Sequence, residues 1–312
     1  MLLTILKLIR APNVFTAISD VVMGYLFVTQ GAGPLLPLLL LIIGSSALYS
    51  AGMVLNDVFD VKEDTKERPH RPIPAGEISL RSATILGVGL LLVGAVSGSL
   101  AAAVTESAAY PWRGAVTAAA LVVCIFVYDS VAKKTFLAPW FMGGCRFFNI
   151  LMGMSLASSG NEQQMWLLGY RPVQLLVAGA IGVYITGVTW FARTEAKPSQ
   201  RGLLIFGFAI MMAGIAMLIG FPSMYNGELF FRNHSVWPML LLLMAFTVAR
   251  RCILAIASLE PKPVQIAVKQ SILSLILFDA AICLAVAGLP WGIGVVALLA
   301  PTLSLGKWIY ST

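Results

Sequence analysis

The chain has 312 residues, of which 59% are hydrophobic and only 11% charged, and its mean hydropathy is +0.88. A soluble domain carries about 25% charged residues, so this composition excludes water as the main solvent. The net charge of +7 does not call for nucleic acid: anionic lipid favours Lys and Arg in cytoplasmic loops, and no basic stripe with interleaved aromatics occurs.

In chain order, Lys7 and Arg10 precede an apolar run that superficially looks like a signal peptide. No small-residue cleavage site follows and Asp20 interrupts the run, so it reads as a first membrane helix. A spanning helix needs about 20 apolar residues. The chain offers such stretches at 13–31, 36–56, 82–104, 112–130, 136–157, 173–193, 202–221, 236–257 and 266–288. A further apolar stretch at 291–308 is broken by Pro301 and Gly306, and is either a tenth span or a folded-back end. Period-2 alternation is absent, which excludes a barrel. The expectation is an all-α, polytopic transmembrane bundle of about nine spanning helices, forming a single domain over 1–312.

Loop charge tests that count. Alternate connections hold Lys7 and Arg10; Lys62, Lys66, Arg68, Arg71 and Arg81; Lys133 and Lys134; Arg193, Lys197 and Arg201; and Arg250, Arg251, Lys262 and Lys269. The opposite set holds only Arg113, Arg171 and Arg232. By the positive-inside rule the first set and the N-terminus face the cytoplasm, as for a multi-pass protein of the cell inner membrane. Cys124, Cys145, Cys252 and Cys283 stand singly in apolar runs, which suits packing better than disulfides or zinc.

The second span ends in Asn56-Asp57-Val58-Phe59-Asp60-Val61-Lys62-Glu63-Asp64, followed by Arg68-Pro69-His70-Arg71-Pro72-Ile73-Pro74-Ala75-Gly76. If the helix continues, a step of about 100° per residue puts Asp57, Asp60 and Asp64 within about 60° of one another. Three carboxylates on one face repel unless a cation sits among them. Hard oxygen donors suit Mg²⁺, which bridges carboxylates to substrate phosphate, and Asn56 adds an amide oxygen. Arg68 and Arg71 bring guanidinium groups that grip phosphate in pairs of hydrogen bonds. Pro69, Pro72 and Pro74 stop the helix and stiffen the turn that presents them. A solvated loop of acid–base pairs explains Lys62, Glu63, Lys66 and Glu67, but not an acid inside the apolar boundary at Asp57, where desolvation is costly. His70 reads as a solvated residue of that loop.

The pattern N-D-x-x-D-x-x-x-D with E-R-P-x-R-P-I-P-x-G over 56–76 resembles the first aspartate motif of the UbiA superfamily of intramembrane prenyltransferases. Two other segments agree: Arg10-Ala11-Pro12-Asn13-Val14-Phe15-Thr16, and Tyr128-Asp129 with Lys133-Lys134 followed by Gly143-Gly144-Cys145-Arg146-Phe147-Phe148-Asn149. The resemblance implies a prenyl diphosphate held through Mg²⁺ by aspartate motifs on cytoplasmic loops. Ionisation of the allylic C1–O bond would follow, then attack by a small, most plainly aromatic, acceptor, inside a lipid-embedded cavity. It implies catalytic roles for Asp60, Asp64, Tyr128 and Lys133, and substrate binding by Arg10, Asn13, Arg68, Arg71, Lys134 and Arg146.

The expected second acidic motif departs from the family pattern. Its place reads Thr189-Trp190-Phe191-Ala192-Arg193-Thr194-Glu195-Ala196-Lys197-Pro198-Ser199, with Glu195 as the one carboxylate. Either Glu195 takes a second metal while Arg193 and Lys197 bind phosphate, or the loop has no catalytic weight. This A-R-x-E variant resembles the EboC-like branch of the superfamily. Within the spans, Arg146 reads as a diphosphate or carboxylate ligand or as the partner of an acid on another helix, and Asp20 and Asp279 read as structural hydrogen-bonding groups. The leading reading is an Mg²⁺-dependent prenyltransferase. The alternatives are a prenyl-diphosphate binder or lipid carrier that lost its second metal, and a transporter using Asp20 and Asp279. Oligomeric state leaves no sequence signal.

Overall fold

The computed structural model describes residues 2–158, 166–193, 195, 198–231, 233 and 235–309, and every regular element among them is helical. A short helix α1 (Leu2–Leu8) meets α2 (Ala11–Thr29) at Arg10, whose backbone is left-handed at φ 49°. That conformation costs a non-glycine residue roughly 1–2 kcal/mol and turns the chain before Pro12, which suits the first turn of α2 because it lacks an N–H to satisfy. Next come α3 (Leu35–Phe59), α4 (Val61–Glu67), α5 (Leu80–Ala103), α6 (Arg113–Ser130) and α7 (Ala138–Gly153). They are followed by α8 (Pro172–Ala192), α9 (Arg201–Ile219), the single turn α10 (Phe221–Met224), α11 (Val236–Ser258) and α12 (Pro261–Ala287).

Burial sorts these helices into a centre and a rim. The most apolar windows of α2 and α12 are 67% buried and that of α8 is 61%, whereas α11 reaches 22% and α5 28%. The rim helices present large apolar side chains outward: Leu242, Leu243 and Phe246 of α11 are at least 60% exposed. Such a surface is stable only against hydrocarbon, where every backbone group must be satisfied within helices. At the centre α2 and α7 cross closely. A Cβ at Gly24 would stand 2.5 Å from the carbonyl oxygen of Ile150, so only glycine permits that approach, as is usual between membrane helices.

Nine helices among the described residues are long and apolar enough to span a membrane, as expected, and eight of them fall on the expected stretches. The 136–157 stretch forms the 16-residue α7, prolonged by a 3₁₀ turn, Met154–Leu156. Together these reach about 30 Å at 1.5 and 2.0 Å per residue, so α7 completes a crossing only with that turn. The ninth long segment is Leu289–Trp308, whose status the sequence leaves open. It is two helices, α13 (Leu289–Val296) and α14 (Leu299–Trp308). Gly288, at φ 94°, reverses the chain so that Gly292 lies against Ala280 and Leu284 of α12, and α14 packs on α2.

The strongly basic connections meet at one end of the bundle. Arg193 Nη2 donates to the Thr135 carbonyl oxygen at 3.1 Å, joining the α8–α9 and α6–α7 connections. Ser199 N donates to the Leu259 oxygen at 3.0 Å and Gln265 Nε2 to the Glu195 carbonyl oxygen at 3.2 Å. The α11–α12 connection therefore joins the same cluster.

Candidate functional site

The aspartate motif sits where α3 leaves the bundle. Asp60 joins α3 to α4 at φ −86°, ψ −1°, and the hydrogen-bond ladder runs through it: Asp60 N donates to the Asn56 oxygen at 3.0 Å and Asp64 N to the Asp60 oxygen at 2.9 Å. The helical repeat is thus kept, and Asp57, Asp60 and Asp64 share a face as the spacing predicts. The ladder ends at Arg68, whose backbone leaves the helical region at φ −140°, ψ 57°, as a following Pro69 disfavours the helical one.

Each aspartate is paired to a cation, Asp57 and Asp60 to ones that include a residue from another stretch of chain. Arg71 is buried, and its Nη1 lies 3.1 Å from Asp57 Oδ1 and 2.7 Å from Asp64 Oδ2. Arg10, from the left-handed junction, reaches Asp57 Oδ1 at 3.5 Å, and Arg68 Nη1 stands 3.8 Å from Asp64 Oδ1. Lys133, from the α6–α7 connection, pairs with Asp60. Lys134 pairs with Glu63 at 3.0 Å on the outer, largely exposed side and holds that carboxyl below the usual glutamate range. An exposed pair of this kind is worth little, and it places Lys134 at the rim of the cluster rather than in its interior.

Three expectations change in detail. Asn56 turns its Nδ2 to Asp129 Oδ1 at 2.8 Å, so its amide is oriented by a carboxylate of α6. Glu195 faces Arg68 and Arg10, and burial pushes its carboxyl above the usual glutamate range against their pull. Those two arginines also hold Asp64 and Asp57, so Glu195 joins the motif through cations instead of meeting the aspartates directly. Arg193 is spent on the Thr135 carbonyl and on the ring of Trp190, 4.9 Å away, and not on the aspartate cluster. Lys197 lies outside the described residues. Among the described residues no three acidic, His or Cys side chains converge on one point, because the cations interleave with the acids. The donor set nonetheless fits a hard divalent cation. Two carboxylate oxygens, from Asp57 and Asp64, already converge on one positively charged atom, Arg71 Nη1, and all donors there are oxygen.

Beneath the motif a second polar cluster occupies the bundle centre. Arg146 of α7 donates from Nη1 to Asp20 Oδ2 at 2.7 Å and from Nη2 to Thr16 Oγ1 at 2.8 Å, and its Cζ lies 5.6 Å from the centre of the Tyr49 ring. Asn149 Nδ2 donates to the Ala17 carbonyl oxygen at 2.9 Å, and Ser19 Oγ to Asp279 Oδ2 at 2.6 Å. Asp20 and Asp279 are fully buried and within hydrogen-bonding reach of each other. Of the readings open for Arg146, the structure takes the buried pair with an acid on another helix. It is not brought to the aspartate loop, because Asp20 lies about 15 Å along α2 from Arg10 at 1.5 Å per residue. Asn13 lies between the two levels: it follows Arg10 by one turn, and its side chain is within electrostatic reach of the Tyr49 hydroxyl. Tyr128 stays at the upper level, within electrostatic reach of Arg10 and Asp60.

The sequence reading passes over Asp129 as a site residue. Its signal is an acid at the last turn of an apolar helix, beside a tyrosine and four residues before a lysine that pairs with the motif.

The model of the UbiA prenyltransferase family matches residues 17–197, more than half of the 312. The chain belongs to that family. Among curated UbiA-type relatives, digeranylgeranylglyceryl phosphate synthase of Saccharolobus solfataricus is 36% identical over 89 residues, 28% of this chain and 32% of the relative. The chain thus matches only about a third of the length of these curated relatives. Solved structures share the fold over nearly the whole chain. An apo UbiA homologue from Aeropyrum pernix superposes with a TM-score of 0.61 at 17% identity, covering 86% of this chain and 96% of that one. A UbiA homologue from Archaeoglobus fulgidus, bound to DMAPP and Mg²⁺, gives 0.58 at 14% identity, covering 94% and 99%. As a UbiA-family chain with these apolar helices, the protein is a multi-pass integral membrane protein.

Proposed function

We propose that this protein is a membrane-embedded prenyltransferase that moves an isoprenoid chain from its diphosphate to a small acceptor. The observation that carries the reading is the cluster itself: three aspartates on one helical face, paired to Arg68 and Arg71 of their own loop and to Arg10 and Lys133 from two other stretches of chain, at the mouth of an apolar bundle. The Mg²⁺-bound and DMAPP-bound neighbour supports the metal and the donor. When bound, Mg²⁺ held by Asp57, Asp60 and Asp64 would draw electron density from the diphosphate and ease loss of that group. Arg10, Arg68, Arg71 and Lys133 stand ready to take up the phosphate oxygens by charge-assisted hydrogen bonds. The surrounding helices exclude water from the allylic cation, and the Tyr128 ring at the same level suits its charge. Positive-inside asymmetry supports placing the motif face in the cytoplasm, with the protein in the inner membrane.

The relatives bear on the acceptor. Their name specifies a glyceryl phosphate product, which directs the first test to a glyceryl phosphate hydroxyl; nothing among them supports an aromatic one. Membranes containing the protein are incubated with labelled prenyl diphosphates of graded length and both acceptor classes, with and without EDTA. We expect EDTA-sensitive transfer with diphosphate release. No transfer and no release at any chain length overturns the proposal. A second reading, a binder without turnover, is favoured by Glu195 standing as the one carboxylate at its loop, facing Arg68 and Arg10. Mg²⁺-dependent retention of the diphosphate without product selects that reading.

Asp129 gives a further expectation. A group that orients a metal ligand through a hydrogen bond typically carries 10–100-fold in metal affinity or activity. Asp129→Ala is therefore expected to lower transfer by about 10- to 100-fold and to shift the Mg²⁺ requirement to higher concentration. An unchanged Mg²⁺ titration would leave Asp129 as a packing group.

A further inference from the structure

We propose that Arg71 holds the metal position closed until a diphosphate arrives, so that divalent cation and diphosphate enter together; the inference rests on the diphosphate reading above. A single atom, Arg71 Nη1, satisfies Asp57 Oδ1 at 3.1 Å and Asp64 Oδ2 at 2.7 Å, and the side chain is 9% exposed. A Mg²⁺ ion draws its oxygens to about 2.0–2.1 Å and would need those same oxygens. Guanidinium and metal therefore exclude each other there. Around this point Asp57, Asp60, Glu63 and Asp64 are matched by Arg10, Arg68, Arg71, Lys133 and Lys134. The acids are compensated without any metal, and a lone divalent cation would add two charges among five side-chain cations.

A diphosphate reverses that balance. Its oxygens suit the guanidinium fork better than a shared carboxylate does, and drawing Arg71 onto them frees Asp57 and Asp64. The backbone is set for such a swing of the side chain alone. Arg71 N donates to the Arg68 oxygen at 3.0 Å and Ala75 N to the Arg71 oxygen at 2.9 Å, which fixes the turn between Pro69 and Gly76. Because coupling between two ligands is reciprocal, the metal tightens diphosphate by the same factor that diphosphate tightens the metal.

The test uses the full-length protein in lipid nanodiscs, with Mn²⁺ as a paramagnetic probe at buffered free concentrations and inorganic diphosphate as the anion. We expect diphosphate to tighten Mn²⁺ binding by between about 5- and 150-fold, the usual range of such coupling. Arg71→Gln should bind Mn²⁺ alone about tenfold more tightly than the unaltered protein and gain less from diphosphate. Arg71→Lys, which keeps the charge but cannot serve two carboxylates from a rigid fork, should fall between; it decides the matter should Arg71→Gln fail to fold by circular dichroism. Mn²⁺ binding that ignores diphosphate in the unaltered protein, or variants that match it for Mn²⁺ alone, overturns the gate. Gated binding without prenyl transfer would leave the gate standing and remove the transferase; transfer with ungated metal binding would do the reverse.

Discussion

Replacing Asp64 with asparagine is expected to lower prenyl transfer by at least roughly 100-fold, a loss of about 2.7 kcal/mol in transition-state stabilisation, while the bundle remains folded. Asparagine keeps the shape of the side chain and one acceptor oxygen, so the change isolates charge. Asp64 is nearly buried, at 2% exposure, and touches both Arg71 and Arg68. Its loss removes a cation ligand and also leaves Arg71 with Asp57 alone. The measurement is the initial rate with labelled donor at saturating Mg²⁺, alongside circular dichroism of the purified variant. A rate within threefold of the unaltered protein would take Asp64 out of the chemistry, and with it the argument that the three aspartates act as one face.

The second large effect is on stability. Arg146→Met leaves the Asp20 carboxylate at the bundle centre without its guanidinium partner, and breaking a buried pair from one side costs about 3–5 kcal/mol. Asp20→Asn strands Arg146 in the same way. The double variant Asp20→Asn, Arg146→Met should recover much of that loss, because two neutral groups of similar size replace two charges. Unfolding in detergent, followed for both singles and the double, gives the cycle. Singles that unfold with the unaltered protein would mean that Asp20 and Arg146 contribute nothing to holding α2 against α7.

What the sequence conveyed, and what it withheld, follows from the range of the forces involved. The shared face of Asp57, Asp60 and Asp64 was legible because helical spacing is local, and the ladder through Asp60 preserves it. The basic end of the bundle was legible because charge asymmetry alternates loop by loop. The Asn56–Asp129 bond was not, since it depends on how α3 packs beside α6, 73 residues apart in the chain. Arg71 was recognised as a cation near phosphate, but its fold-back onto two aspartates depends on the turn after Pro69, which composition does not specify. Arg146 illustrates the middle case. An ionised group inside a span announces a partner, yet whether that partner is a substrate or Asp20 is decided by the register of α2 against α7. The number of spans was legible, but two details were not: α7 completes its crossing with a 3₁₀ turn, and the last apolar stretch, turned back at Gly288, breaks into two helices between Val296 and Leu299.

The length of α3 has a consequence for where this protein can work. At 25 residues it extends about 37 Å, against a hydrocarbon layer of roughly 30 Å. If that surplus falls at the C-terminal end of α3, it carries Asn56 and Asp57 out toward the headgroups. A thicker membrane would draw those two residues into oil, and a thinner one would tilt the helix and swing Asp60 away from Lys133. Bilayer thickness would then be part of the geometry of the site, and acyl-chain length is expected to change the rate of the proposed transfer alongside metal and donor.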